Sequence, residues 1–174
     1  MKNNQVRDLI LLAFFADIGF VSKRLIAPFA NVLTDFLRVP GGIGTAFSLM
    51  FLPIGACMIR RKGSASLMAL VQCILAMSLG MTGAMGMMSP IGYIMPGIAI
   101  DIIVAVCLRY NAGLPAAMTA ANAAGSLTAA LTANFIVFRL HGAVLALYLL
   151  IALISGGLCG LMASFIFRRI RPLY

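Results

Sequence analysis

Asp101, Gln72 and Asn122 are polar side chains set well inside apolar stretches of the sequence, and groups so placed are the first candidates for chemistry. A carboxylate in such surroundings can face a cation or accept from an amino group. Carboxamides donate and accept at once, which suits a small polar ligand as well as a neighbouring helix. Asn122, Ser126, Ala130 and Asn134 recur every four residues and so share one stripe of a helix. That stripe either lines a binding cavity or supplies interhelical hydrogen bonds. Tyr93 follows an uncharged segment, Leu79 to Met88, rich in glycine and methionine. The segment reads either as a lid over a site, with Tyr93 beneath it, or as an apolar loop dipping into lipid.

Bond-making chemistry finds no matching set of residues. There is one histidine, His141, and no HExxH, no Walker-type phosphate loop and no Ser/His/Asp set at a common depth. The chain is expected not to be an enzyme and to carry no cofactor. A single imidazole is too little for a transition-metal site. Cys57, Cys73, Cys107 and Cys159 each lie in an apolar run without a CxxC, so they read as free packing thiols and no metal site is expected. The net charge of +9 is scattered as short punctuation between apolar runs, which argues against nucleic acid as a partner.

The elements that must position these residues follow from composition. Of 174 residues, 63% are apolar and 10% are charged, against about 25% charged in ordinary soluble domains. The bilayer is therefore the expected solvent, and the expected fold is an all-α integral membrane protein, a six-helix transmembrane bundle in a single domain, residues 1–174. Spans are expected at about 8–27, 43–59, 64–81, 90–108, 114–138 and 143–167. The start Lys2, Arg7 and an apolar run resembles a signal peptide, but Asp17 interrupts it and no small-x-small cleavage site follows, so it is read as a retained first helix. That helix is expected to emerge at Lys23, with residues 25–42 as a long loop or interfacial segment.

Orientation follows from the positive-inside rule. With six spans and both termini inside, nine basic residues (Lys2, Arg7, Arg60, Arg61, Lys62, Arg109, Arg168, Arg169 and Arg171) fall on the cytoplasmic side of the cell membrane. Four (Lys23, Arg24, Arg38 and Arg139) fall outside. Gln72, Asp101 and Asn122 then lie about seven or eight residues into their spans, at a similar depth near the bilayer centre for a rise of about 1.5 Å per residue. An ionisable group there costs at least about 2.5 kcal/mol to insert, so Asp101 marks either a ligand contact or an interhelical tie. The stripes Ala116, Ala120, Ala124 and Ala152, Gly156, Gly160, Ser164 are small-xxx-small patterns, expected to pack within the bundle.

Several segments carry a resemblance to a known family. They are Ala56-Cys57-Met58-Ile59-Arg60-Arg61-Lys62-Gly63, Leu70-Val71-Gln72-Cys73, Gly97-Ile98-Ala99-Ile100-Asp101 and Leu114-Pro115. Over this stretch, a little under half of the chain, it resembles the substrate-binding S components of energy-coupling factor (ECF) vitamin transporters. Within them it looks most like the thiamine/hydroxymethylpyrimidine branch. Two features depart from the branch: Gln72 and Asp101 stand where it favours Glu, and Ala13, Ala16 and Gly19 are spaced by three where an Ala-xxx-Ala docking surface is usual.

The resemblance implies a subunit that captures a vitamin or vitamin precursor from outside. Its partners would be a transmembrane scaffold subunit and two ABC ATPases, and ATP would be hydrolysed on those partners. Asp101, Gln72, Asn122, Asn134, Ser126 and Tyr93 are the expected substrate-binding residues, and Ala13, Ala16 and Gly19 the expected docking residues. The alternative is a small oligomeric secondary carrier or channel that is not coupled to ATPases. The charge of the ligand stays open, since Asp101 favours a cation while Lys23, Arg24 and Arg38 favour an anion.

Overall fold

The structure is a computed structural model that describes residues 2–36, 43–59, 61–110 and 112–170. Its elements are α1 (Lys2–Phe36), α2 (Ile43–Leu49), α3 (Phe51–Ile59), α4 (Ser64–Ser78), α5 (Ser89–Arg109), α6 (Leu114–Ala133) and α7 (Gly142–Ile170). A 3-10 segment, Gly83–Met88, precedes α5, and a π-helical turn, Asn134–Phe138, extends α6. No strand occurs among the described residues. This matches the demands of an apolar solvent, in which each segment must satisfy its own backbone hydrogen bonds. Three helices, Met85–Arg109, Leu114–Phe138 and Gly142–Ile170, are long and apolar enough to cross a membrane. Gly44–Ile59 and Ser64–Ser78 are shorter apolar helices.

Two expectations about the elements are corrected. The first helix does not end at Lys23: α1 continues to Phe36, through Pro28. Lys23 and Arg24 therefore sit within a helix, and residues 25–36 are helix, not loop. Residues 37–42, with Arg38, lie outside the described residues, as do Arg60 and Arg171. The expected span 43–59 is broken at Met50 into α2 and α3. Pro53 explains the break, because its ring crowds the carbonyl four residues back, at Leu49, and it offers no N–H to the ladder.

The helices pack in sequence order, α4 on α5, α5 on α6 and α6 on α7, while α1 closes the bundle against α2, α3 and α4. One core runs through it, including Phe15, Ala16, Leu52, Ile54, Met68, Ile100, Met118 and Ala163. Large apolar side chains also cover the outside: Phe14, Phe29, Phe135 and Phe165 are all more than half exposed. An apolar exterior of that extent is what lipid contact requires and what water disfavours.

Small residues set the helix spacing. A Cβ on Gly160 would lie 2.6 Å from the Thr119 Cα, and one on Gly156 would lie 3.0 Å from the Ala123 Cα. The Ala152, Gly156, Gly160, Ser164 stripe thus packs against α6 inside the bundle. The other stripe is turned differently: Ala116 and Ala120 are exposed, while Ala117 and Ala121 take the buried face. The docking expectation is corrected in the same way. Only Ala13 of its three residues is exposed; Ala16 is wholly buried and Gly19 packs against Gln72 and Ser48. Two of the three therefore hold α1 to its own bundle and offer no surface to a partner.

The Gly160 contact is with backbone, which cannot step aside. Gly160→Ala should lower unfolding stability in detergent by about 1–3 kcal/mol through overpacking. Gly157→Ala, where nothing lies within 4 Å of the added Cβ, should be neutral or slightly stabilising. Equal behaviour of the two variants in chemical unfolding would refute close α6–α7 contact.

Candidate functional site

At the end of the bundle away from Arg61, Arg109 and Arg168, the helices part around a cavity of about 630 Å³. Helix α1 supplies Phe20, Lys23 and Arg24, and the start of α2 supplies Thr45. Helix α5 contributes Ser89 and Tyr93 from its first turns, and α6 lends Ser126, Ala129, Ala130 and Ala133. Phe138 and Tyr148 close the far side, their rings 6.0 Å apart and edge to face. The volume suits a small organic molecule, and the wall is largely apolar and aromatic with a few polar groups, as in most ligand pockets.

The Gly/Met segment forms one edge of this cavity. Met81, Thr82 and Met85 line it, whereas Met87 is 95% exposed and does not. The segment is thus part of the cavity wall and also presents apolar surface outward. Its shape involves Ser89, whose single hydroxyl proton is shared between the Thr82 carbonyl at 2.8 Å and the Gly86 carbonyl at 2.7 Å. Gly86, at φ 52°, supplies the left-handed turn between them.

Of the six expected substrate-binding residues, Ser126 and Tyr93 line the cavity, and the other four do not. Tyr93 accepts a hydrogen bond from the Lys23 ammonium at 3.2 Å, and that ammonium also lies 4.4 Å from the centre of the Tyr93 ring. Ser126 is 3% exposed, and its hydroxyl has no hydrogen-bond partner among the described residues. That hydroxyl is packed in the α6–α7 contact beside Gly156 and is closed off from the cavity, so only the rest of Ser126 borders it.

The remaining four are engaged in holding helices. Asp101 receives the Ala65 N–H at 3.0 Å, the Ser66 N–H at 2.8 Å and the Ser66 hydroxyl at 2.6 Å. It is an N-cap supplied from another helix. Gly63, at the cap position of α4, has no side chain to do this, and a carboxylate is favoured at the positive end of a helix. Gln72 donates to the Ala16 carbonyl at 3.1 Å and ties α4 to α1. Asn122 donates to the Gly156 carbonyl at 2.8 Å and the Ala46 carbonyl at 3.3 Å, joining α6 to α7 and α2. Asn134 accepts the Leu140 N–H at 2.7 Å and shapes the α6–α7 turn.

The sequence marks Lys23 and Arg24 as charges near the outer mouth but as the end of the first helix; the structure puts them within α1, on the cavity wall. The signal was present: the apolar pattern resumes after Arg24 and no Gly follows it before position 41. At the opposite end Asp8 and Arg61 form an ion pair at 3.0 Å, joining α1 to the α3–α4 turn. No group of three or more His, Cys, Asp or Glu side chains that could hold a metal ion occurs among the described residues.

Residues 7–128 match the family model described as "ABC-type cobalt transport system, permease component". No curated protein and no solved structure matches the chain.

The geometry at Asp101 separates a helix tie from a ligand contact. Asp101→Ala strands two N–H groups and should cost about 1.5–3 kcal/mol of stability, with Asp101→Asn losing less because Asn also caps helices. Affinity for a cavity ligand should stay within twofold in Asp101→Asn. A large affinity loss with unchanged stability would reverse the assignment.

Proposed function

The chain belongs to the family of ABC-type cobalt transport system permease components, and from that premise we propose that it is the substrate-capturing S component of an energy-coupling factor importer. In this reading six spans cross the cytoplasmic membrane, both termini are inside and the cavity opens outward. The cargo is a vitamin or vitamin precursor of the thiamine/hydroxymethylpyrimidine kind. A transmembrane scaffold subunit and two ABC ATPases are the partners, and the chain itself catalyses no reaction.

The observation that carries this reading is the cavity with its largely apolar, aromatic wall and few polar groups. Its aromatic faces at Phe20, Tyr93, Phe138 and Tyr148 suit stacking on a flat heterocycle. Thr45 and Thr82 on the same wall carry hydroxyls suited to ring substituents. The distribution of basic residues supports the orientation, since Arg61, Lys62, Arg109, Arg168 and Arg169 gather at the end away from the cavity. The family match overlaps the segments on which the resemblance rests.

Cobalt as cargo is the second reading, and the family's own description favours it. The donor chemistry points the other way. Co²⁺ prefers imidazole, thiolate or carboxylate ligands, and the described cavity wall offers none of these.

Ligand binding to the purified chain separates the two. Hydroxymethylpyrimidine-type heterocycles should raise the unfolding temperature in detergent, and Tyr93→Leu should weaken their binding by about 0.5–1.5 kcal/mol of lost ring stacking. Uptake by cells lacking other routes should require the ATPases and scaffold as well as this chain. Stabilisation by Co²⁺ with no response to any heterocycle would favour the metal reading.

A further inference from the structure

Resting on this reading of the cavity, we infer that its substrate carries an anionic group, a phosphate or a carboxylate, and that Lys23 is the residue that pairs with it.

The charges described on this wall are out of balance. Lys23 is half-buried on the cavity wall. The contacts described for its ammonium are with the Tyr93 hydroxyl and ring, both neutral. Arg24 lies on the same wall, and no carboxylate among the described residues does. An ammonium partly withdrawn from water needs an opposite charge or several acceptors to offset its desolvation. One phenol supplies a single acceptor.

The chain has little acid with which to meet that need. Its four acidic residues are Asp8, Asp17, Asp35 and Asp101. Asp8 is paired with Arg61 at the other end of the bundle, and Asp101 caps α4. Asp17 is exposed and does not line the cavity. Asp35, whose side chain lies outside those described, is twelve residues along α1, about 18 Å from Lys23 at the helical rise.

Helix geometry reinforces the sign. Because α1 continues to Phe36, Lys23 is not at a helix end from which its side chain would reach freely into water. It sits level with Tyr93 in the first turns of α5, whose N-terminus also faces this end with the positive pole of its dipole. The α6 and α7 side is lined by Ala129, Ala130, Ala133, Phe138 and Tyr148, so one wall is cationic and the other largely apolar and aromatic. A heterocycle lying between the aromatic faces would place an anionic substituent toward Lys23. A cationic ring such as a thiazolium finds no carboxylate among the described residues of this wall.

Matched pairs of probes test this by calorimetry on the detergent-purified full chain: hydroxymethylpyrimidine against its monophosphate, and nicotinamide against nicotinate, with thiamine as the cationic control. The anionic member of at least one pair should bind ten-fold or more tighter than its neutral partner. Lys23→Met should erase that advantage and Lys23→Arg should keep most of it. Inorganic phosphate alone and phosphatidylglycerol in nanodiscs should not compete, since each lacks the ring.

Equal or tighter binding of the neutral members or thiamine overturns the anionic assignment and leaves the capture of a heterocycle standing. An anionic preference that survives in Lys23→Met overturns the role of Lys23. Competition by the lipid would make this a headgroup site and also overturn the proposal. Binding of Co²⁺ with none of the organic probes removes both this inference and the reading beneath it. Should Lys23→Met not fold, the pairwise preference of the unmodified chain and the Lys23→Arg comparison still decide.

Discussion

Hydrocarbon offers no hydrogen bonds, so each polar group that enters an apolar bundle must find its partner within the protein. That constraint orders most of what is seen here. Asp101 leaves its own helix to cap α4, Gln72 reaches to the carbonyl of Ala16, and Asn122 spans from α6 to carbonyls of α2 and α7. Such ties lie between helices that small residues bring close, as Gly19 does beside Gln72 and Gly160 beside Asn122. Close approach and hydrogen bonding reinforce each other. A bulkier residue at the contact would push the partner carbonyl out of reach, and loss of the polar group would leave a buried carbonyl or N–H unpaired.

Once these ties are counted, the polar groups left over become informative. The hydroxyls of Ser64 and Ser126 and the carboxamide oxygen of Asn122 are buried with no partner among the described residues, all three at helix contacts. Lys23 differs from them: its ammonium lies against the neutral phenol of Tyr93 and on the cavity wall. Structural demand explains the polar residues that tie helices together, and Lys23 and Tyr93 are set apart from those ties.

The cavity wall combines two kinds of packing. Helices α6 and α7, in close contact at Gly156 and Gly160, carry Ala129, Ala130 and Tyr148. The Gly83–Met88 segment is tied to α5 through the Ser89 hydroxyl and through Met85 against Gly92, and methionine side chains suit irregular apolar surfaces. The proposed mode of action, capture on one side of the membrane with energy supplied by partner ATPases, places few other demands on this chain.

What the sequence by itself determined is the all-helical, membrane-embedded character and the place of most helices. These depend on composition and on apolar runs, which are local properties of the chain. It also pointed to Tyr93, Ser126 and the Gly/Met segment, all of which meet at the cavity. It could not say which of its polar residues are spent on structure. Asp101 looked like the best ligand contact because a buried carboxylate is costly, yet the same cost is met by the bare N-terminus of α4, which lies far off in sequence. Lys23 and Arg24 looked like the end of a helix because charge commonly marks one, and the continuation of α1 puts them on the cavity wall instead. In both cases the deciding quantity is the distance to a group on another helix, and only tertiary packing sets that.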